Sequence, residues 1–168
     1  VKKQGMSFVG FAGFENRYAL AMRRDRAAEL GVSSLKDLAS VGESLKAGGD
    51  LEFFGRLEWF RTRQMYGVDF GEKLVFDTSL MYGAVASGEV DIISAYTTDG
   101  RVAAYDLLLL DDPLNAMLSY DAMILGSERM ARRPDVMQVF SRLANRVKDS
   151  DIREANRMVD VEGLPVST

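Results

Sequence analysis

The sequence contains neither cysteine nor histidine among its 168 residues. Their absence removes the thiolate nucleophile, the imidazole general base and zinc sites of the usual Cys/His kind, leaving carboxylate-only or Ser/Lys chemistry. No run approaches the roughly 18 consecutive apolar residues of a membrane span. The opening residues, VKKQGMSFVG, lack the apolar stretch of a secretory signal. That leaves two expectations, a cytoplasmic protein or a numbering that begins inside a longer precursor. Basic residues form no patch and the net charge is −4, which argues against nucleic acid as a partner. There is no Walker loop, no dinucleotide fingerprint and no paired-carboxylate motif, and GGD at 48–50 reads as a loop. The single tryptophan, Trp59, reads as packing.

What is present is an ordinary globular composition with enough apolar residues, 47%, to bury a core in one domain or two small lobes. Strand-like and helix-like runs alternate. MSFVGF, RYALAMRR, DLEFF, EKLVFD, VDIISAY, YDLLLL and DAMILG read as strands. RDRAAELG, GRLEWFRTRQMYG and SLMYGAVASG read as helices closed by Gly31, Gly67 and Gly88. SSLKDLASVGESL reads as a helix capped by Ser33 or Ser34, with Leu35, Leu38 and Val41 at helical spacing. Further helices are expected in SERMARRPDVMQVFSRLANRVK and SDIREANRMVDVEG. The alternation predicts an α/β fold with a largely parallel sheet, and a crossing between two parts at about 107–118. A cleft between two lobes is a common ligand site.

Three tyrosines stand where strands meet loops. Tyr96 ends a strand before TTDG, at the carboxyl edge where α/β folds place ligands. Tyr18 follows GFEN and enters a strand; Tyr120 sits in LSYDA after the crossing. Converging on a cleft, their ring faces can surround a cation, a contact of about 2 kcal/mol when desolvated. The alternative is that each packs at the edge of the core with its hydroxyl in water. Tyr66, Tyr82 and Tyr105 read as core or helix-face residues. Arg56, just past a strand at a helix start, can clamp a carboxylate or be a solvated first-turn residue. Arg61 and Arg63 read as surface. Asp99 and Gly100 fit a tight turn in which the aspartate accepts backbone N–H groups.

Together the strings GFENRYALAMRRD, DLEFFGRLEW, YGVDF, SLMYGAVASGEVDIISAYTTDGR, AAYDLLLLDD, YDAMILGSE and VDVEG resemble the substrate-binding proteins of ABC importers for osmoprotectants, the glycine betaine/choline/carnitine group. The resemblance runs from about Phe11 to Gly163. It implies the type 2 periplasmic binding protein fold without the amino-terminal part of the first lobe. Residues 6–108 would be the inserted second lobe, and 109–168 the hinge return with the carboxyl-terminal part of the first. It also implies an aromatic box for a quaternary ammonium built by Tyr18, Tyr96 and Tyr120, with Asn16 and Thr98 lining the pocket. Arg56, or Arg63 in its place, would meet the ligand's carboxylate. The implied protein is not an enzyme, needs no cofactor or metal, and works outside the cytoplasm, as part of a longer precursor or a permease fusion. Its partners would be a small quaternary ammonium or betaine and an ABC permease, through which alone it contacts the membrane. The chain by itself could form a homodimer. Other readings are a site for another zwitterion such as ergothioneine or an amino acid, a ligand-sensing regulatory domain, or an enzyme using carboxylates.

Overall fold

A computed structural model describes residues 5–166. Strand β1 (Met6–Glu15) is followed after two residues by β2 (Tyr18–Arg23), whose residues from Tyr18 to Met22 are all buried. Then come α1 (Arg24–Leu30), α2 (Leu38–Val41), β3 (Lys46–Gly49), α3 (Leu57–Tyr66), β4 (Glu72–Val75), α4 (Thr78–Ser87) and β5 (Ile92–Tyr96). The chain continues through α5 (Gly100–Ala104), β6 (Leu107–Leu109), β7 (Asp121–Ser127), α6 (Glu128–Ala131), α7 (Pro134–Ser141) and α8 (Asp149–Asn156). A π-helical turn, Arg157–Val161, extends α8. Among the described residues no helix is long and apolar enough to cross a membrane.

Five strands form one sheet in the order β4-β3-β5-β2-β6. The sheet is mixed, not largely parallel. β3 runs parallel to β4 and β5, while β2 is antiparallel to both its neighbours, β5 and β6. Four strands therefore share one direction, with α3, α4 and α5 as their crossovers, and β2 alone is reversed. It is entered from β1 across two residues rather than from a helix, and nothing in its apolar pattern reports direction. Residues alternate between the faces: Leu20, Met22 and Ile92 join a core with Leu35, Leu38, Phe53 and Trp59. On the other face Ala21, Ile93 and Ala95 pack on Met81, Tyr82 and Val85 of α4. β1 stands apart from this sheet and pairs with β7 in an antiparallel ribbon.

Two local expectations are corrected. The helix read over SSLKDLASVGESL reduces to α2 and a 3-10 turn, Gly42–Ser44. Ser33 and Ser34 do not cap it; their N–H groups both donate to Asp37 at 2.9 Å, making an aspartate-centred turn. The strand read at DLEFF lies four residues upstream, at Lys46–Gly49, and Phe53–Gly55 is a 3-10 turn. Asp50 ends the strand by accepting the N–H groups of Glu52 and Phe53 at 2.9 Å each. GGD is thus no loop: Gly48 and Gly49 lie in a buried strand. At Gly49 a Cβ would sit 2.7 Å from the Phe54 ring, so the strand passes there only without a side chain.

The helix stops behave as read. Gly31, Gly67 and Gly88 all adopt the left-handed conformation at helix ends. Asp77 caps α4 through Ser79 N–H at 2.8 Å, and Asp99 caps α5 through Arg101 N–H at 2.9 Å. Tyr66 and Tyr82 are buried, whereas Tyr105, at the end of α5, is exposed. Arg63 pairs with Asp69 at the surface. Arg61 turns inward instead, donating to the carbonyls of Ala116 and Asn115 at 2.8 and 2.7 Å.

Candidate functional site

Reversal of β2 decides where the site forms. Because β2 is antiparallel to β5, its first residue, Tyr18, lies opposite the last residue of β5, Tyr96. The neighbouring strand β3 ends at the same edge and delivers Asp50 there. The two rings lie 4.8 Å apart, tilted by 35°. Their hydroxyls are 2.9 Å from each other and 2.8 and 3.0 Å from the same oxygen, Asp50 Oδ2. Asp50 is 6% exposed. Its backbone N–H donates to Ser94 Oγ at 3.2 Å, which fixes the aspartate against β5. Phe53 packs against Tyr18 at 5.3 Å between ring centroids, and the Tyr96 N–H donates to the Tyr82 hydroxyl at 3.1 Å.

Arg56, the residue before α3, closes the next side. Its Nη2 donates to the Tyr120 hydroxyl at 3.0 Å, Nη1 to Glu52 at 3.0 Å and Nε to Glu58 at 3.4 Å. The Tyr120 hydroxyl donates onward to Glu58 Oε1 at 2.6 Å. Glu58 is 1% exposed, and its neighbours account for its charge. Burial alone would raise its carboxyl, but bonds from Tyr120, its own backbone and Arg56 together hold it below the usual carboxylate range. Tyr120, Glu58 and Glu52 in turn push the Arg56 guanidinium up, so it stays a cation. The Cζ of Arg56 stands 5.3 Å from the centroid of the Tyr18 ring. That ring face therefore already carries a cation of the chain's own. Burial, aided by Tyr96 and Asp50, pushes the Tyr18 phenol up; burial likewise raises Tyr96. Both remain neutral phenols well into alkali.

Five of the six expected site residues line one hollow of about 210 Å³: Asn16, Tyr18, Arg56, Tyr96 and Tyr120, with Glu52 as the sixth wall. Thr98 is buried behind them, its hydroxyl donating to Asn16 Oδ1 at 2.8 Å, so it orients Asn16 rather than facing the hollow. The alternate arginine, Arg63, belongs to a different depression with Phe60 and Asp69. Sequence reading missed Asp50, Glu52 and Glu58. Asp50 was legible in principle: with the strand placed at KAGG, it occupies the carboxyl edge that singled out Tyr96. Glu58 gave no such signal, since an acid in the first turn of a helix is ordinarily solvated.

The comparisons follow the same lines. Residues 1–167 match the OpuAC family, described as the substrate binding domain of ABC-type glycine betaine transport system. A glycine-betaine-binding protein of Pseudomonas aeruginosa is 31% identical over 172 residues, covering 95% of this chain and 55% of that protein. The ergothioneine transport permease/ergothioneine binding protein EgtU of Helicobacter pylori is 25% identical over 162 residues, 95% of this chain and 29% of its own length. The crystal structure of a glycine betaine/carnitine/choline ABC transporter superposes with a TM-score of 0.88 at 28% identity, over 98% of this chain and 61% of that one. The chain thus spans between about a third and three fifths of these relatives.

Proposed function

This chain belongs to the family of substrate-binding domains of ABC-type glycine betaine transport systems and has the type 2 periplasmic binding protein fold, and from that premise we propose that it binds a quaternary ammonium solute for import. Glycine betaine, choline and carnitine form the solute class. The observation that carries the reading is the Tyr18–Tyr96 pair, ring to ring at 4.8 Å, with a guanidinium already over the Tyr18 face. A trimethylammonium group donates no strong hydrogen bond, so ring faces suit it better than they suit a lysine-like amine. Tyr120 supplies the third ring and Asn16 a polar edge held by Thr98. A ligand carboxylate reaches Arg56 by replacing Glu52, an exposed surface partner whose ion pair is worth about 0–1 kcal/mol.

In this reading no bond is made or broken. Residues 6–108 act as one lobe and 109–168 as the hinge return and part of the other. Closure over the solute shifts the population toward a form that an ABC permease accepts. The domain works on the extracytoplasmic side of the membrane, which it touches only through the permease. A second reading, a site for ergothioneine or another zwitterion, is favoured by the likeness to EgtU.

Titration calorimetry with choline tests the cage. Loss of one desolvated cation–π face is worth about 2 kcal/mol, so Tyr96→Ala should weaken choline binding about 30-fold. Tyr105→Ala, at an exposed ring outside the hollow, should leave it within about twofold. Equal losses in the two variants would remove Tyr96 from the site.

A further inference from the structure

Three carboxylates and one guanidinium surround the hollow: Asp50 beneath the tyrosines, Glu52 and Glu58 beside Arg56. Two negative charges are therefore in excess. Glu52 and Glu58 share Arg56, so a ligand carboxylate reaches that cation only by displacing Glu52. Asp50 has no such partner among its contacts. The Tyr18 and Tyr96 hydroxyls reach its Oδ2, and the Glu52 and Phe53 N–H groups reach its Oδ1. All four donors are uncharged. They occupy both carboxyl oxygens, and among the described residues no cation is in contact with the group.

We infer that the hollow selects a quaternary ammonium ligand of net positive charge over a zwitterion, and that the buried carboxylate of Asp50 sets this preference. Two physical effects act together. A phenol donating to an anion is polarised, which moves electron density into the ring and deepens the negative potential of its face. The carboxylate's own field acts through a low-dielectric neighbourhood, since Tyr18, Phe53 and Ser94 beside it are all buried. Both effects favour the ammonium head, and the second disfavours any carboxylate the same ligand carries. A choline-type cation gains from both; glycine betaine gains at one end and loses at the other. Arg17, on the β1–β2 turn, is paired with Glu15 at 2.7 Å.

The inference rests on the quaternary ammonium reading given above, and its test separates the two. Calorimetry on the full chain with choline, tetramethylammonium and glycine betaine gives the wild-type order. Choline and tetramethylammonium should bind at least about tenfold tighter than glycine betaine. Asp50→Asn keeps the shape and an acceptor oxygen while removing the charge, and should shrink that ratio to about threefold or less. Near-UV circular dichroism of the tyrosines checks that the pair survives. A wild type that binds glycine betaine as tightly as choline overturns the inference and leaves the quaternary ammonium reading standing. A uniform loss for all three ligands in Asp50→Asn also overturns it, by giving Asp50 an ordering role alone. No binding of any of the three by the wild type defeats the reading itself. A second measurement needs no variant: raising salt from about 20 to about 500 mM should weaken choline more than glycine betaine, and parallel curves would contradict the charge argument.

Discussion

For four of the six tyrosines the hydroxyl partner shows what the side chain does. Tyr18 and Tyr96 share Asp50, Tyr120 shares Glu58 with Arg56, and Tyr66 holds the crossing segment. The Tyr66 hydroxyl donates to Asp112 at 2.5 Å and accepts from Leu114 N–H at 2.7 Å, while Asp112 also accepts from Ala116 and Met117. Burial and the neighbouring Asp112 push its phenol from 10.0 up to about 12. The folded protein thus keeps a proton that the unfolded chain has released. Stability from this bond is whole below pH 10 and lost as pH rises toward 12. Tyr66→Phe should cost about 1–3 kcal/mol near neutral pH, because Asp112 and Leu114 N–H each lose a partner. In urea titrations, the variant should also lose less than wild type on going from about pH 8 to about pH 11. Parallel losses would mean that the phenol does not titrate as this environment dictates.

At the level of elements, helices with clear stops were legible and the strand before the site was not. Gly31, Gly67 and Gly88 announce helix ends because only glycine adopts that conformation without strain. β3 hid because its residues, Lys-Ala-Gly-Gly, carry none of the β-branched or aromatic side chains that mark strands, whereas the following Leu-Glu-Phe-Phe does. Tertiary packing overrides propensity there: Phe54 lies against Gly49, and a longer side chain would collide with it. The same misplacement concealed Asp50, so one misplaced strand cost both an element and a residue of the candidate site. Tyr18 and Tyr96 were singled out because each borders a turn, but their pairing across β2 and β5 depends on a strand direction that no local pattern encodes. Gly49→Ala should therefore destabilise by about 1–3 kcal/mol through overpacking against Phe54. Gly55→Ala, with nothing within 4 Å of the added methyl, should be neutral or stabilising by up to about 1 kcal/mol. Chemical denaturation of the two variants decides it; equal effects would show that β3 tolerates a side chain.

Across the whole molecule, the two sheets differ in how well they are covered. The five-stranded sheet buries both faces, whereas the β1–β7 ribbon keeps one face open. Register sets Phe8 opposite Leu125 and Phe11 opposite Met123, and a bulge between Phe8 and Gly10 brings the two phenylalanine rings to 5.2 Å. All four side chains are between 37% and 54% exposed, one contiguous apolar strip. On the opposite face Gly10 approaches Ala144, and Gly126 approaches Met137 of α7. Two strands alone are marginal in water, and a strip of this kind associates with whatever covers it. α8 ties the ribbon to the sheet edge that bears Tyr96: Asp149 accepts Glu15 N–H at 2.9 Å, while Arg153 and Asn156 hold the carbonyls of Thr97 and Thr98 at 2.9 and 2.8 Å. The Thr97 contact lies one residue from Tyr96. The chain on its own is expected to bury the strip against a second copy. Sedimentation velocity between about 5 and about 100 μM should then show the mean mass rising toward the dimer. Phe11→Ser with Met123→Ser should restore the monomer, because both changes fall at one cross-strand pair in the middle of the strip. Wild-type protein that stays monomeric across this range would show that the open face carries too little apolar area to hold a copy.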